Sequence, residues 1–428
     1  MLKSKIPVCA VFDIGKTNKK LFLFDENYEI VFEKSIQLEE TVDEDGDACE
    51  DLAKLNRWVL KVWNEVLKHD IFGIKAINFS TYGASFVHVN SLGHPILPLY
   101  NYLKPYPENL KKQFYDTYGG EEAFSVLTAS PVLGSLNSGM QLYRLKYEKP
   151  EIYKEIRHSL HLPQFLHLYL TGRAYSDITS IGCHTNLWNF QTKTYHDWVE
   201  KEGIDGKLAL TSAIGYELSA IGCAVGIGLH DSSSALIPYL ISFDEPFILL
   251  STGTWNICLN PFNELPLTFE ELQQDCLCYL TFQNKPVKAS RLFAGNTHEI
   301  NIKELAVQFG VEMDSYKKVD YNAELVSNQN TATYEAAYHS VVYNIVQDQI
   351  VAINLVINGS EPIKRIFVDG GFSKNSIFMN LLVQAFPDYE VLAASVAQAS
   401  ALGAALAIHE SWNTKSIPEN LIELKAYC

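Results

Sequence analysis

Asp13-Ile14-Gly15-Lys16-Thr17-Asn18-Lys19-Lys20 decides how this chain is read. Val8-Cys9-Ala10-Val11-Phe12 precedes it and Leu21-Phe22-Leu23-Phe24-Asp25 follows it. Two β-rich runs around a glycine turn predict a hairpin. The unit recurs downstream as Phe247-Ile248-Leu249-Leu250, Ser251-Thr252-Gly253-Thr254 and Trp255-Asn256-Ile257-Cys258-Leu259. Each copy reads as strand, polar turn with Gly and Thr, strand. Two copies of one supersecondary unit predict two related domains. The boundary falls near Ser242–Pro246, where Phe243-Asp244-Glu245-Pro246 forms a proline turn. The expected domains are residues 1–243 and 244–428.

Helical spacing fills the intervals. Leu52, Leu55, Trp58, Val59, Val62, Trp63, Val66 and Leu67 share one face, behind an acidic run that suits a helix start. Tyr334–Ile357 reads as a long helix with a wide apolar face, stopped at Asn358-Gly359-Ser360. Ile363–Val368 reads as a strand that runs into Asp369-Gly370-Gly371, and Ala397–His409 as a closing helix rich in Ala and Gly. Strands alternate with helices, so the fold class is α/β.

The chain has 428 residues, 47% hydrophobic and 20% charged, which is the composition of a folded protein. Lys plus Arg number 34 and Asp plus Glu 50, so the net charge is −16. A polyanion is repelled on average, which argues against a nucleic-acid or anionic-membrane partner. No stretch reads as a membrane span of roughly 18 apolar residues, and no signal-type apolar region follows the first lysines. Most of the scattered cysteines sit in apolar strings, and Cys276-Leu277-Cys278 is one residue too tight for a metal or redox turn. The expected compartment is the reducing cytosol.

Several segments invite chemistry. Gly15-Lys16-Thr17 lacks the upstream glycine of a P-loop, because Ala10 stands in its place. What remains is a polar turn whose N–H groups, with Thr17 and a lysine, suit phosphate oxygens. Asp13 suits a metal ion held through water. Ser251-Thr252-Gly253-Thr254-Trp255 is the matching second turn. Gly228-Leu229-His230-Asp231 opens a helix, where Asp231 serves either as an N-cap or as a base that accepts a hydroxyl proton. Asp369-Gly370-Gly371-Phe372-Ser373-Lys374-Asn375 joins a strand to a helix start that favours anions. Asp43-Glu44-Asp45-Gly46-Asp47 fails the EF-hand pattern at Ala48 and Lys54 and reads as a solvated turn. His298-Glu299 has no second histidine at helical spacing, which removes a zinc-protease reading.

Taken in order, these segments resemble the FGGY family of carbohydrate kinases, within the sugar kinase, Hsp70 and actin superfamily. Asp13–Lys20 resembles its first phosphate motif, Gly228–Asp231 its catalytic-base motif and Ser251–Trp255 its second phosphate motif. Gly370–Asn375 resembles its adenosine motif, and Ala399-Ser400-Ala401-Leu402-Gly403-Ala404-Ala405 its closing helix. The resemblance implies two RNase H-like, actin-like ATPase domains with an interdomain cleft, the first for sugar and base, the second for nucleotide. It implies transfer of the γ-phosphoryl group of Mg-ATP to a hydroxyl of a ketose or polyol.

In that resemblance Asp231 is the base and Asp13 the acidic residue near Mg²⁺. ATP and Mg²⁺ are the implied cofactors. Gly15, Lys16, Thr17, Asn18, Lys20, Thr252, Gly253, Thr254, Gly370, Gly371, Ser373, Asn375 and Gln398 join Asp13 in nucleotide binding. His-Asp-Ser-Ser-Ser-Ala with Leu-Ser-Thr-Gly-Thr-Trp is most similar to rhamnulokinases and nearby 6-deoxyketose kinases. Their aromatic-Gly-x-x-Phe segment is similar to Tyr82-Gly83-Ala84-Ser85-Phe86. Sugar contacts are therefore expected at Thr81, Gly83, Ala84, Ser85, Asn101, Gln164 and His230, with His184-Thr185-Asn186 facing the cleft. The expected partner is a small sugar, and a homodimer is an open possibility.

The chain departs from the family at Lys16 (usually Thr), Lys20 (usually Arg), Asn380 (often Gln) and Gln398 (often Glu). Ala84 stands where many members carry Asp or Glu, which bears on the choice of sugar. Two readings compete with a kinase: an ATPase switch of the actin or Hsp70 type, and a sensor of sugar or nucleotide without catalysis.

Overall fold

The computed structural model describes residues 5–212, 215–218, 222–328, 332–359, 362–396 and 398–427. They form two compact units. Unit 1 holds residues 1–241, 278–285 and 398–421; unit 2 holds 242–277, 286–397 and 422–428. A single cut at 243/244 therefore does not describe the chain. Two later segments return to the first unit, among them the closing helix. Ala397 lies outside the described residues.

In unit 1, β1 (Ile6–Ile14), β2 (Asn18–Asp25) and β3 (Ile30–Gln37) form an antiparallel meander. β1 is nearly all apolar and buried, as a strand covered on both faces must be. β3 alternates exposed and half-buried residues, as an edge strand does. α1 (Leu52–Leu67) is started by Asp51, whose side chain accepts from the Lys54 amide. Its apolar stripe packs on the sheet, with the Trp58 ring edge-on to Phe12 at 5.7 Å.

β4 (Phe72–Thr81) runs parallel to β1 and pairs Asp13 with Ser80 and Ile14 with Thr81. β5 (Tyr216–Leu218) and β6 (Ala224–Gly226) extend the sheet, while β7 (Leu229–His230) pairs with the far end of β4. α2 (Asp231–Ser242) follows at once. The carboxyl ends of β1, β4 and β7 thus converge, which is where open α/β sheets bind ligands. The helix Ala399–Leu406 packs so closely on α2 that a Cβ at Gly403 would stand 1.8 Å from the Ser234 carbonyl oxygen.

Unit 2 repeats the plan. β8 (Phe247–Thr252), β9 (Asn256–Asn260) and β10 (Pro286–Leu292) are antiparallel. β11 (Arg365–Gly370) lies parallel to β8 and β12 (Glu390–Ser395) parallel to β11, with β13 (Glu423–Ala426) antiparallel at the edge. α3 (Ala294–Phe309), α4 (Tyr334–Ile357) and α5 (Ser376–Ala385) cover the sheet.

By length and composition α4 could cross a membrane, contrary to the expectation of no such stretch. It carries Tyr338, Val342, Ile345, Ile353 and Val356 into the core of unit 2, and that burial explains its apolar face. The cysteines among the described residues are free and buried.

Candidate functional site

Unit 1 gathers two carboxylates. Asp13 ends β1, and its Oδ2 accepts a hydrogen bond from the Ser400 hydroxyl at 3.1 Å. Burial, and then the charge of Asp231, push its carboxyl up to about 6. Asp231 begins α2. Its Oδ1 accepts from the Ser232 amide at 2.7 Å and stands 3.2 Å from His230 Nε2. Its Oδ2 has no protein hydrogen bond among the described residues. The side chain is about a third exposed. One oxygen is thus held in place and the other left open, as a base needs.

His230 is buried, and burial pushes its imidazole below the ordinary range despite the neighbouring Asp231. Its Nε2 also meets Cys183 Sγ at 3.2 Å, and its buried Nδ1 lacks a protein partner. The ring lies against Gly83, where a Cβ would stand 2.8 Å from it. Gly83 is the residue that admits the histidine.

The first turn is closed by Gly15 N–H donating to the Asn18 carbonyl at 2.9 Å. Thr17 and Asn18 are exposed. Lys20 faces Asp13 across the hairpin and donates to Gln398 Oε1 at 3.2 Å. Lys16 does not stand free over the turn. Its ammonium pairs with Glu40 at 2.6 Å and lies over the rings of Tyr82 and Tyr102.

Several expected sugar contacts are occupied within the protein. Thr81 is buried and its hydroxyl donates to the Tyr82 carbonyl. The Asn101 amide donates to the Ala48 carbonyl, and that of Gln164 to the Gly228 carbonyl at 2.8 Å. Gln164 thus shapes the loop before Asp231. Ser85 is buried. Ala84 is buried in the left-handed region (φ +59°), and its carbonyl accepts from Gln141 Nε2. His184 (+39°), Asn186 (+64°) and Gln398 (+56°) share that strain. Strain of this kind clusters at functional loops. The buried 184–186 stretch is tied by Asn137 Nδ2 to the His184 carbonyl, Thr185 to Ile181, and Asn186 Nδ2 to the Tyr115 hydroxyl.

Sequence reading missed Asn78, which ties the site together. Its Oδ1 accepts from the Gly228 amide and its Nδ2 donates to the Ala404 carbonyl at 2.7 Å. A Cβ at Gly226 would strike it at 2.0 Å, so the glycine marks the place. A buried Asn between apolar residues was the available signal.

Asp43–Asp47 is a turn with Glu44, Asp45 and Gly46 exposed, as expected, but Asp43 is buried and the turn is closed over a lysine. Lys104 is buried and its ammonium meets Asp43 at 2.5 Å, Asp45 at 2.9 Å and Asp47 at 2.8 Å. Burial alone would raise the Asp43 carboxyl. The Lys104 hydrogen bond and the Asp45 and Asp47 amides outweigh it and hold that carboxyl low. Lys104 lies far from the acidic run in sequence, so spacing could not reveal it.

Unit 2 encloses a cavity of about 790 Å³ lined by Gly253, Thr254, Gly371 and Asn375, among others. That is ample for a nucleotide-sized ligand. Gly371 offers open space at its Cβ, whereas a Cβ at Gly370 (φ +89°) would meet the Thr252 carbonyl at 1.9 Å. The Thr252 hydroxyl donates to the Asp369 carbonyl and accepts from the Phe372 amide, so it shapes the loop. Ser373 donates to the Gly370 carbonyl. Asn375 caps α5 through Oδ1, which accepts from the Ile377 and Phe378 amides. Asn380 donates to the Ser376 carbonyl.

A protein of two α/β units, each with a Gly-Thr hairpin turn on one shared strand plan, belongs in fold with sugar kinases. It is similar over 97% of its length to a carbohydrate kinase from Novosphingobium aromaticivorans (TM-score 0.79, 23% identity, 95% of that chain). A xylulose kinase from Rhodospirillum rubrum is similar over 97% of the chain (TM-score 0.80, 14% identity, 93% of that chain). Residues 8–204 match the family model of the FGGY family of carbohydrate kinases, N-terminal domain. A rhamnulokinase from Halalkalibacterium halodurans is 24% identical over 265 residues, 57% of this chain and 54% of that protein. The chain thus spans about half the length of the curated relatives it matches.

Proposed function

We propose that the protein is an ATP-dependent carbohydrate kinase that transfers the γ-phosphoryl group of Mg-ATP to a hydroxyl of a ketose or polyol. One observation carries the reading: Asp231 has Oδ1 pinned by Ser232 and His230 while Oδ2 stands open. That oxygen accepts the proton of the attacking hydroxyl, a step worth typically 10²–10⁴ in rate.

Asp13 fits a hydrated divalent cation. Asp231 already disfavours its charge, and a cation would relieve that repulsion. Asp13 would hold Mg²⁺ through water, and the ion would neutralise phosphate charge during transfer. The cavity of unit 2, with Gly371 open toward it, suits the nucleoside. The acceptor is a 6-deoxyketose of the L-rhamnulose type, a reading supported by the His230-Asp231 sequence and by the rhamnulokinase relatives.

Phosphorus NMR of Mg-ATP with L-rhamnulose tests the proposal. A new phosphomonoester signal matched by ADP is the expected result. ATP consumed only to inorganic phosphate would contradict it.

A further inference from the structure

The cavity of unit 2 contains a polar chain that no phosphate motif requires. It begins at Asn375, whose Oδ1 accepts from the backbone amides of Ile377 and Phe378. Backbone amides only donate, so the atom facing them is the oxygen and the amide is not free to flip. Nδ2 is therefore the other atom, and it donates to the Tyr338 hydroxyl at 2.6 Å. The hydroxyl's remaining partner is His298 Nε2 at 3.0 Å, and donating to it is the arrangement that leaves the hydroxyl proton satisfied.

The histidine is neutral, because burial pushes its imidazole down to about 4. A neutral imidazole that accepts at Nε2 carries its proton at Nδ1. The ring is wedged by Tyr316 and Phe372, both edge-on, at 5.0 and 5.3 Å. His298, Tyr316 and Phe372 line the cavity, whereas Tyr338 lies behind them. Nδ1 has no protein hydrogen bond among the described residues and is not sealed from solvent. The chain thus fixes one N–H donor on a residue that lines the cavity beside Tyr316 and Phe372.

We propose that His298 reads the nucleobase: its Nδ1–H donates to an acceptor nitrogen of a purine ring seated in this cavity, and Asn375 and Tyr338 fix the tautomer. The inference rests on the nucleotide reading of unit 2 and adds which residue meets the base and through which atom. Tyr338 and Asn375 act as positioning residues.

Calorimetric titration with ADP and, separately, with inorganic tripolyphosphate tests it in the full-length protein. His298→Asn places an amide N–H near the position of Nδ1, His298→Gln places its amide near Nε2, and His298→Phe keeps a ring without a donor. The expected result is ADP binding weakened about tenfold by Gln and Phe and less than about threefold by Asn, the scale of one hydrogen bond. Tripolyphosphate affinity stays within about twofold throughout, since a base contact leaves phosphate binding alone.

Equal ADP affinity in all three variants would overturn this proposal and leave the nucleotide reading standing. A wild-type protein that binds no ADP would overturn both. Nitrogen-15 shifts of the imidazole supply a readout independent of variant folding. The protein without nucleotide should show His298 protonated at Nδ1, and Tyr338→Phe should return it toward the Nε2–H form. An Nε2–H signal in the wild type would overturn the relay.

Discussion

Across its central parallel strands, unit 1 sets Asp13 beside Ser80, whereas unit 2 sets Ser251 beside Asp369. The order and pairing sense of the central strands are otherwise shared, although the first hairpin closes over four residues at Ile14 and Lys19 and the second over three at Thr252 and Asn256. The carboxylate and the hydroxyl have changed strands. Across the hairpin, Lys20 faces Asp13 in unit 1, while Ile257 faces Ser251 in unit 2. One backbone plan thus sets an Asp–Lys pair across the first hairpin and a Ser–Ile pair across the second, with the second unit's carboxylate moved to the neighbouring strand. Function resides in the grafted side chains and not in the fold.

Changes that erase the first unit's charges should separate the two. Asp231→Asn is expected to lower kcat about 10²-fold or more, because the base is lost, with ADP affinity unchanged. A variant with near-normal turnover would sink the assignment. Asp13→Asn should lower kcat by about 30-fold, and it carries a stability signature as well. Its folded carboxyl titrates near 6, above the unfolded value, so the native state favours the protonated form. The stability this supplies is full below about pH 4 and is lost as pH rises through 6. The wild type should therefore be less stable than Asp13→Asn at pH 8 by up to about 3 kcal/mol, and level with it at pH 4. Equal melting points at pH 8 would contradict the buried-charge account. For the same reason wild-type kcat/KM should rise with pH through about 6.

The second unit should respond differently. Gly371→Val projects into the cavity and should weaken ADP about tenfold without unfolding the protein, since nothing stands at its Cβ. Unchanged ADP affinity would move the nucleoside elsewhere. Lys20→Met tests the asymmetry most gently. Losing the cation opposite Asp13 should lower kcat/KM for Mg-ATP about fivefold, while the same measurement on Ile257→Val should stay within about twofold. A null result for Lys20→Met would make its pairing with Gln398 merely structural.

Much of this was legible in the sequence. The two hairpins stand where alternating apolar runs around Gly-Thr turns place them, because period and turn chemistry are local. Short motifs singled out Asp13 and Asp231, which the structure brings close enough for the charge of one to act on the other. What escaped depends on long-range contact. Asn78 meets Ala404 and Gly228, Lys104 enters the 43–47 loop, Ser400 reaches Asp13, and residues 398–421 rejoin the first unit. No window of sequence brings those partners together. His298 escaped because its partner, Tyr338, lies on another helix.

The most direct test of the account is ADP release from Mg-ATP, measured with no acceptor and then across L-rhamnulose, L-fuculose, L-ribulose, D-xylulose and glycerol. Stimulation of about tenfold or more by one acceptor, abolished in Asp231→Asn, is the predicted result. ATP turnover indifferent to every acceptor, and equal in the wild type and in Asp231→Asn, would contradict it.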